Sequence, residues 1–216
     1  MDLIRRRAFL IGSQRVVPPG FRAVDFIQST GRQYINTGYI ASNNTKSIVR
    51  VDYVSGNGNS FIYGGARSYN NRSYECYPWD NDMQFGYGTS INYVRDIISK
   101  SGQIVTIKRQ GKAIELVWED GTIMSGENVD SVEFDSQLPV ALFALNRYSG
   151  ISYPTTGNKC FSAQFYDGDT LVRNFIPCVR EADDKPGMYD LCGSIYSETN
   201  SPFYTNAGTG EFVVSP

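Results

Sequence analysis

The chain of 216 residues contains no histidine. No imidazole is therefore available as a general base, as a zinc ligand or as the middle member of a Ser-His-Asp arrangement. The four cysteines, Cys76, Cys160, Cys178 and Cys192, include no CxxC pair. A zinc site without histidine would have to use all four together. The even count permits disulfides, but the opening residues do not read as a secretion signal, so reduced thiols are expected. No apolar run approaches the roughly 20 residues that a membrane helix needs, so no membrane span is expected.

Charge is small in total and uneven in placement. Residues 1–22 carry Arg5, Arg6, Arg7, Arg15 and Arg22 against Asp2, a net of +4, which leaves −6 for the rest of a chain whose net charge is −2. A nucleic-acid-binding domain carries its basic surface on the folded part. Here that part is acidic, so nucleic acid is not expected as the main ligand.

What the chain does contain describes a folded β protein. Hydrophobic residues make up 41% and aromatics 13%, with 21 glycines, 15 tyrosines and only 2 tryptophans. Glycine with Tyr, Phe, Ile, Val and Thr favours many strands joined by turns. The first residues mix Leu3, Ile4, Phe9 and Leu10 with Arg5, Arg6 and Arg7. The apolar stretch after the arginines is too short for a signal peptide. Leaving such a mixture in water is costly, so these residues are expected to form a docking arm against a partner or a second copy of the chain. Val16-Val17-Pro18-Pro19-Gly20 closes the arm as a linker, because paired prolines fit neither helix nor central strand. Residues 1–20 are thus read as arm and linker, and 21–216 as a single domain.

Alternation of apolar and polar residues marks the strands. In 47–53, Val49, Val51 and Tyr53 share one face. In 103–109, Val105 and Ile107 point inward, and Gln110-Gly111 turns the chain into 113–119, where Ile114, Leu116 and Trp118 face the core. Asp120-Gly121 makes the next turn. Residues 138–145 are apolar on both faces, as in a covered central strand. Residues 159–166 are expected to point Phe161, Ala163 and Phe165 inward, and Asp167-Gly168-Asp169 to turn them into 170–176. Only 94–99 offers a short helical turn. This pattern is all-β: a two-sheet antiparallel jelly-roll sandwich.

Two stretches carry a resemblance. Residues 24–38, Val-Asp-Phe-Ile-Gln-Ser-Thr-Gly-Arg-Gln-Tyr-Ile-Asn-Thr-Gly, resemble the opening of a group of concanavalin A-like (LamG-like) jelly-roll domains. Such domains occur in bacteriophage and prophage structural proteins and in surface proteins of gut bacteria. The far end is similar as well: 163–167, 171–178, 186–190 and 206–212, the last reading Asn-Ala-Gly-Thr-Gly-Glu-Phe. Together they bracket nearly the whole chain. The resemblance implies a fold and a setting, not a ligand. The matched residues read as framework: Gly31 and Gly38 at turns flanking a strand, Asp190 and Gly193 in a hairpin, and Arg173 paired with an acid inside the sandwich.

Some relatives of this fold hydrolyse glycans with an E-x-D-x-E strand. The nearest candidate is Glu115 to Glu119, where Val117 stands in place of the orienting Asp. The pair reads as two solvated glutamates, and no enzyme is expected. The densest polar-aromatic stretch is 68–82. There Tyr74, Tyr77, Trp79, Asp80 and Asn81 could give a sugar both an aromatic platform and hydrogen-bonding groups. The competing reading packs the aromatics, Trp79 included, between the sheets. Asp80-Asn81-Asp82 offers oxygen ligands for Ca²⁺ but lacks the spacing and glycine of a calcium loop, so no cofactor is expected. The functional expectation is a non-enzymatic phage virion protein, a head decoration, fibre or tail-associated adhesin. It would be attached to other virion proteins through residues 1–20 and would be oligomeric or part of a larger assembly. The alternative is a bacterial surface module that binds cell-surface glycans.

Overall fold

A computed structural model describes residues 17–54, 60–68, 71–128, 133–152, 156–193 and 201–216. The docking-arm residues Leu3 to Leu10 lie outside this set. Among the described residues, the first strand begins just after Gly20, beyond the paired prolines. In chain order the strands are β1 (Phe21–Ala23), β2 (Ile27–Thr30), β3 (Ile35–Ser42), β4 (Thr45–Asp52), β5 (Tyr63–Ser68), β6 (Asn71–Trp79), β7 (Asp82–Gly88) and β8 (Ser90–Val94). Then follow β9 (Ile104–Gln110), β10 (Ala113–Trp118), β11 (Ile123–Glu127), β12 (Asp135–Leu142), β13 (Leu145–Arg147) and β14 (Gly150–Ser152). The last are β15 (Thr156–Asp167), β16 (Thr170–Arg180), β17 (Lys185–Asp190), β18 (Phe203–Thr205) and β19 (Val213–Val214).

They form two sheets. The first runs β11-β10-β9-β4-β15-β16-β17-β18, with β1 on β16, and β2 joining β15 to β19. The second runs β14-β13-β5-β6-β7-β8, with β12 linking β3 to β5. Neighbours are antiparallel except β13 and β5. This is the expected all-β jelly-roll sandwich.

The alternation pattern places the core. Val49, Val51, Val105, Ile107, Ile114, Leu116, Trp118, Ala163 and Phe165 from the first sheet meet Tyr63, Tyr74, Cys76, Met83, Phe85 and Tyr87 from the second in one buried cluster. Tyr53 packs edge-on to Trp118 with ring centroids 5.7 Å apart. The cysteines are all free thiols, with Cys76, Cys160 and Cys178 buried and Cys192 exposed.

The resembling segments from the two ends of the chain close on each other. Gln33 is buried, and its Oε1 accepts from the Thr30 N–H at 2.7 Å while its Nε2 donates to the Thr209 carbonyl at 3.0 Å. Asn206 Oδ1 accepts from the N–H groups of Tyr34 (3.1 Å) and Gly208 (2.8 Å), and Asn206 Nδ2 donates to the Gly210 carbonyl at 2.7 Å. Gly208 is needed for close approach, since a Cβ there would stand 1.9 Å from the Arg32 carbonyl oxygen. These contacts give the matched motifs a framework role. Arg173 likewise pairs inward, with Nε 3.8 Å from Oδ2 of the fully buried Asp190, whose backbone carbonyl accepts from Gly193 N–H.

Four expectations are corrected. Residues 94–99 are not one helical turn: Ser90–Val94 is strand and only Ile98–Lys100 makes a 3-10 turn. The apolar run 138–145 is buried from Val140 onward but is not one strand, because Phe143 takes a positive φ of 67° and separates β12 from β13. Phe161 does not face the core. A register shift between Cys160 and Ser162 turns Cys160 inward and leaves Phe161 on the outer face, between Phe26 and the Arg50 guanidinium. Gly38, at φ 65°, lies within β3 rather than beside it, where the pairing with β12 shifts register.

The latch makes a test. Gly208→Ala should cost about 3 kcal/mol, because a backbone oxygen blocks the methyl group. Gly121→Ala, at φ 86° with open space around it, should cost about 1 kcal/mol from backbone strain alone. Urea unfolding of both variants checks the ranking, and equal costs would contradict the latch.

Candidate functional site

β6 and β7 form a hairpin in which Trp79 opposes Asp82, so Asp80 and Asn81 are its two turn residues. Asp80 takes a left-handed φ of 51°, which Asp tolerates better than most side chains. The turn is braced from β8 onward. The Asn81 carbonyl accepts from Ile97 N–H at 2.8 Å, and Asp82 accepts from Asp96 N–H at 3.0 Å and from Arg95 at 3.3 Å. Arg95 in turn lies over the Tyr93 ring at 5.2 Å.

The five predicted glycan-site residues separate on this hairpin. Trp79 is 41% exposed, and Asp80 and Asn81 are exposed beside it. Tyr74 and Tyr77 are not available to a ligand. Tyr74 points between the sheets, where its hydroxyl meets Ser47 Oγ at 2.7 Å and Arg109 covers its ring at 4.1 Å. Tyr77 lies on the opposite face of β6, but Phe61 covers it at a tilt with centroids 4.3 Å apart and Gln84 Nε2 donates to its hydroxyl. Trp79 packs edge-on to Tyr77 at 6.3 Å. The reading that buried Trp79 in the core is therefore overturned: its position at the end of β6 carries it beyond the cover that Phe61 provides.

What remains is a tip made of a half-exposed indole, the exposed polar groups of Asp80 and Asn81, and the Arg95–Asp82 pair. Asp82, the third oxygen-bearing residue of the calcium reading, already spends its carboxylate on Asp96 N–H and Arg95. The hairpin glutamates lie elsewhere. Glu115 sits 2.7 Å from Lys108, and Glu119 pairs with Arg50.

Two buried charged residues escaped the sequence reading. Arg109 is 1% exposed, and its guanidinium donates to the carbonyls of Glu75 (3.2 Å) and Gly86 (3.0 Å) on the opposite sheet. Glu75 is fully buried, and neither carboxylate oxygen has a hydrogen-bond partner among the described residues. Parity alone would have found Arg109, because 105, 107 and 109 share a face. Parity could not find Glu75, since both faces of β6 are covered.

No protein-family profile and no curated protein sequence matches the chain. A solved structure of the mouse laminin alpha1 chain, domains LG4-5, aligns with 67% of this chain and 41% of its own length, at 15% identity and a TM-score of 0.42.

The tip predicts a contrast between neighbours on one strand face. Trp79→Ala should cost under about 1.5 kcal/mol, and Tyr77→Ala about 3–5 kcal/mol, as large-to-small changes in buried sites do. Thermal or urea unfolding of the two variants separates them. A Trp79 variant that unfolds as readily as the Tyr77 variant would return the indole to the core.

Proposed function

We propose that the chain is a non-enzymatic recognition protein of a phage particle. In this reading a jelly roll is held on the virion through residues 1–20 and presents the Trp79 tip to cell-surface glycan. The observation that carries the recognition part is the half-exposed indole on a braced hairpin, flanked by Asp80 and Asn81. An apolar sugar face stacks on such a ring while the polar side chains meet its hydroxyls. The virion setting is supported by the resemblance of residues 24–38 and 163–212 and by the basic, apolar composition of the arm. Absence of catalysis is supported by Glu115 and Glu119, which are tied to Lys108 and Arg50 and lack a carboxylate between them. The second reading, a bacterial surface lectin-like module, is favoured by the same tip and differs in setting.

Deleting residues 1–20 should leave the sandwich folded, since its core cluster draws on residues from Ile27 to Phe212, and should abolish incorporation into particles. Normal assembly of the truncated chain would remove the virion reading and leave the surface module.

On a glycan array, Trp79→Ala should bind at least about thirtyfold more weakly than the unaltered chain, the loss expected for a central aromatic anchor. The unaltered chain should release no reducing sugar from bound polysaccharides. Unchanged binding in Trp79→Ala would move recognition away from the tip, and hydrolysis lost in Glu115→Gln would refute the non-enzymatic reading.

A further inference from the structure

The outer face of the second sheet carries a carboxylate where none is expected. Pairing across the strands sets Glu75 opposite Gly86 on β7, and one position short of the Tyr63–Cys76 pair, which brings it beside Gly64 on β5. Both glycines are needed. A Cβ at Gly86 would meet Ser73 Oγ at 2.5 Å and Glu75 Cγ at 2.6 Å, and one at Gly64 would meet Glu75 Cβ at 3.2 Å. The Glu75 side chain therefore lies flat on the sheet, close to Leu145 and shut away from water.

A buried carboxylate with no hydrogen-bond donor is costly in its charged form. Two guanidinium groups act on it. Arg109 reaches the sheet from the core side and donates to the Glu75 carbonyl itself, and Arg147 on β13 attracts it electrostatically. The other described neighbours on this face, Phe61, Gly64, Ala66, Ser73, Tyr77, Gln84, Gly86 and Leu145, bear no formal charge. Tyr63, Tyr74 and Cys76 face the core, and burial raises all three above their ordinary values, so they stay neutral through the physiological range.

We propose that Glu75, set between Arg109 and Arg147 without a hydrogen-bond donor, is a buried proton switch for the packing of the second sheet. Burial outweighs the two arginines and raises the Glu75 pKa from 4.5 to about 7. The folded chain thus keeps a proton that the unfolded chain has already lost between those two values. The stability this group contributes is highest below pH 4.5, falls as pH rises through the window, and levels off above 7. Across the full window the folded-to-unfolded ratio changes on the order of 300-fold, at tenfold per pH unit. No histidine titrates within this window.

The test uses the full-length chain. Denaturant midpoints measured from pH 4.5 to 8.5 should decline and then level in the unaltered chain, and should stay flat through the same window in Glu75→Gln. Carboxyl NMR of ¹³C-glutamate-labelled unaltered chain, which does not depend on any variant folding, should show one glutamate titrating near pH 7. Arg147→Gln should move that titration to higher pH, because an attracting charge is removed. A flat profile in the unaltered chain, or no glutamate titrating above pH 6, would overturn the switch. An unmoved titration in Arg147→Gln would overturn the part assigned to the arginine.

Discussion

Arg109 is a buried cation that crosses the sandwich and bonds to the other sheet's backbone. It lies in the inward row of β9, paired with Ser47 on β4 and with Ile114 on β10. Its charge is met by the carbonyls of β6 and β7 and by the faces of the Tyr74 and Phe85 rings. Burying a guanidinium costs several kcal/mol unless such partners stand in place, and a desolvated cation over a ring returns up to about 2 kcal/mol. The spacing and register of the two sheets are constrained accordingly. A one-residue slip of β6 would put side chains on the wrong faces and remove the acceptors together.

The same strand register carries that constraint outward to the tip. Tyr74 and Cys76 face Arg109 and the core, so Ser73, Glu75, Tyr77 and Trp79 must share the outer face. Elsewhere the contacts of Gln33 and Asn206 join residues 172 or more positions apart. In the first sheet the late strand β15 likewise pairs with both β2 and β4. Contacts this distant in sequence slow folding but make the finished sandwich hard to open piecemeal.

Half-buried strands were readable from the sequence because one face met water. β4, β9 and β10 obeyed the period of two at every inward position named, and the Gly111, Gly121 and Gly168 turns fell where the dipeptides put them, each at positive φ. The reading failed where that contrast vanished. β6 and β7 are covered on both faces, so Tyr74 and Tyr77 could not be sorted from Trp79 by polarity, and nothing singled out Glu75. The bulge at Phe161 inverted parity for a reason no period can carry: one extra residue in β15 opposite β4. Phe143 broke an apolar run through its backbone conformation, not its side chain. The framework role of the end motifs, by contrast, was legible in Gly31 and Gly193, which take positive φ at turns, and in Arg173, which pairs with Asp190.

The tip's chemistry follows from where cover on β6 ends. Trp79 stands two positions beyond Tyr77, a rise of about 7 Å along a strand, and that distance takes the indole past Phe61 into solvent. The turn beyond it needs no further ordering, because Asp80 already holds its left-handed conformation and Ile97 and Asp96 already donate to Asn81 and Asp82. A surface fixed in advance loses little side-chain and loop entropy when something binds. What it can hold is set by what it carries. There is one flat apolar ring, two short polar side chains, and an arginine already paired with Asp82, with no cluster of free cations for phosphate. Hydroxyl-rich, uncharged ligands meet that combination without leaving a buried charge unpaired. Phosphate-bearing ones would bring negative charge against Asp80 and Asp82, with Arg95 already engaged.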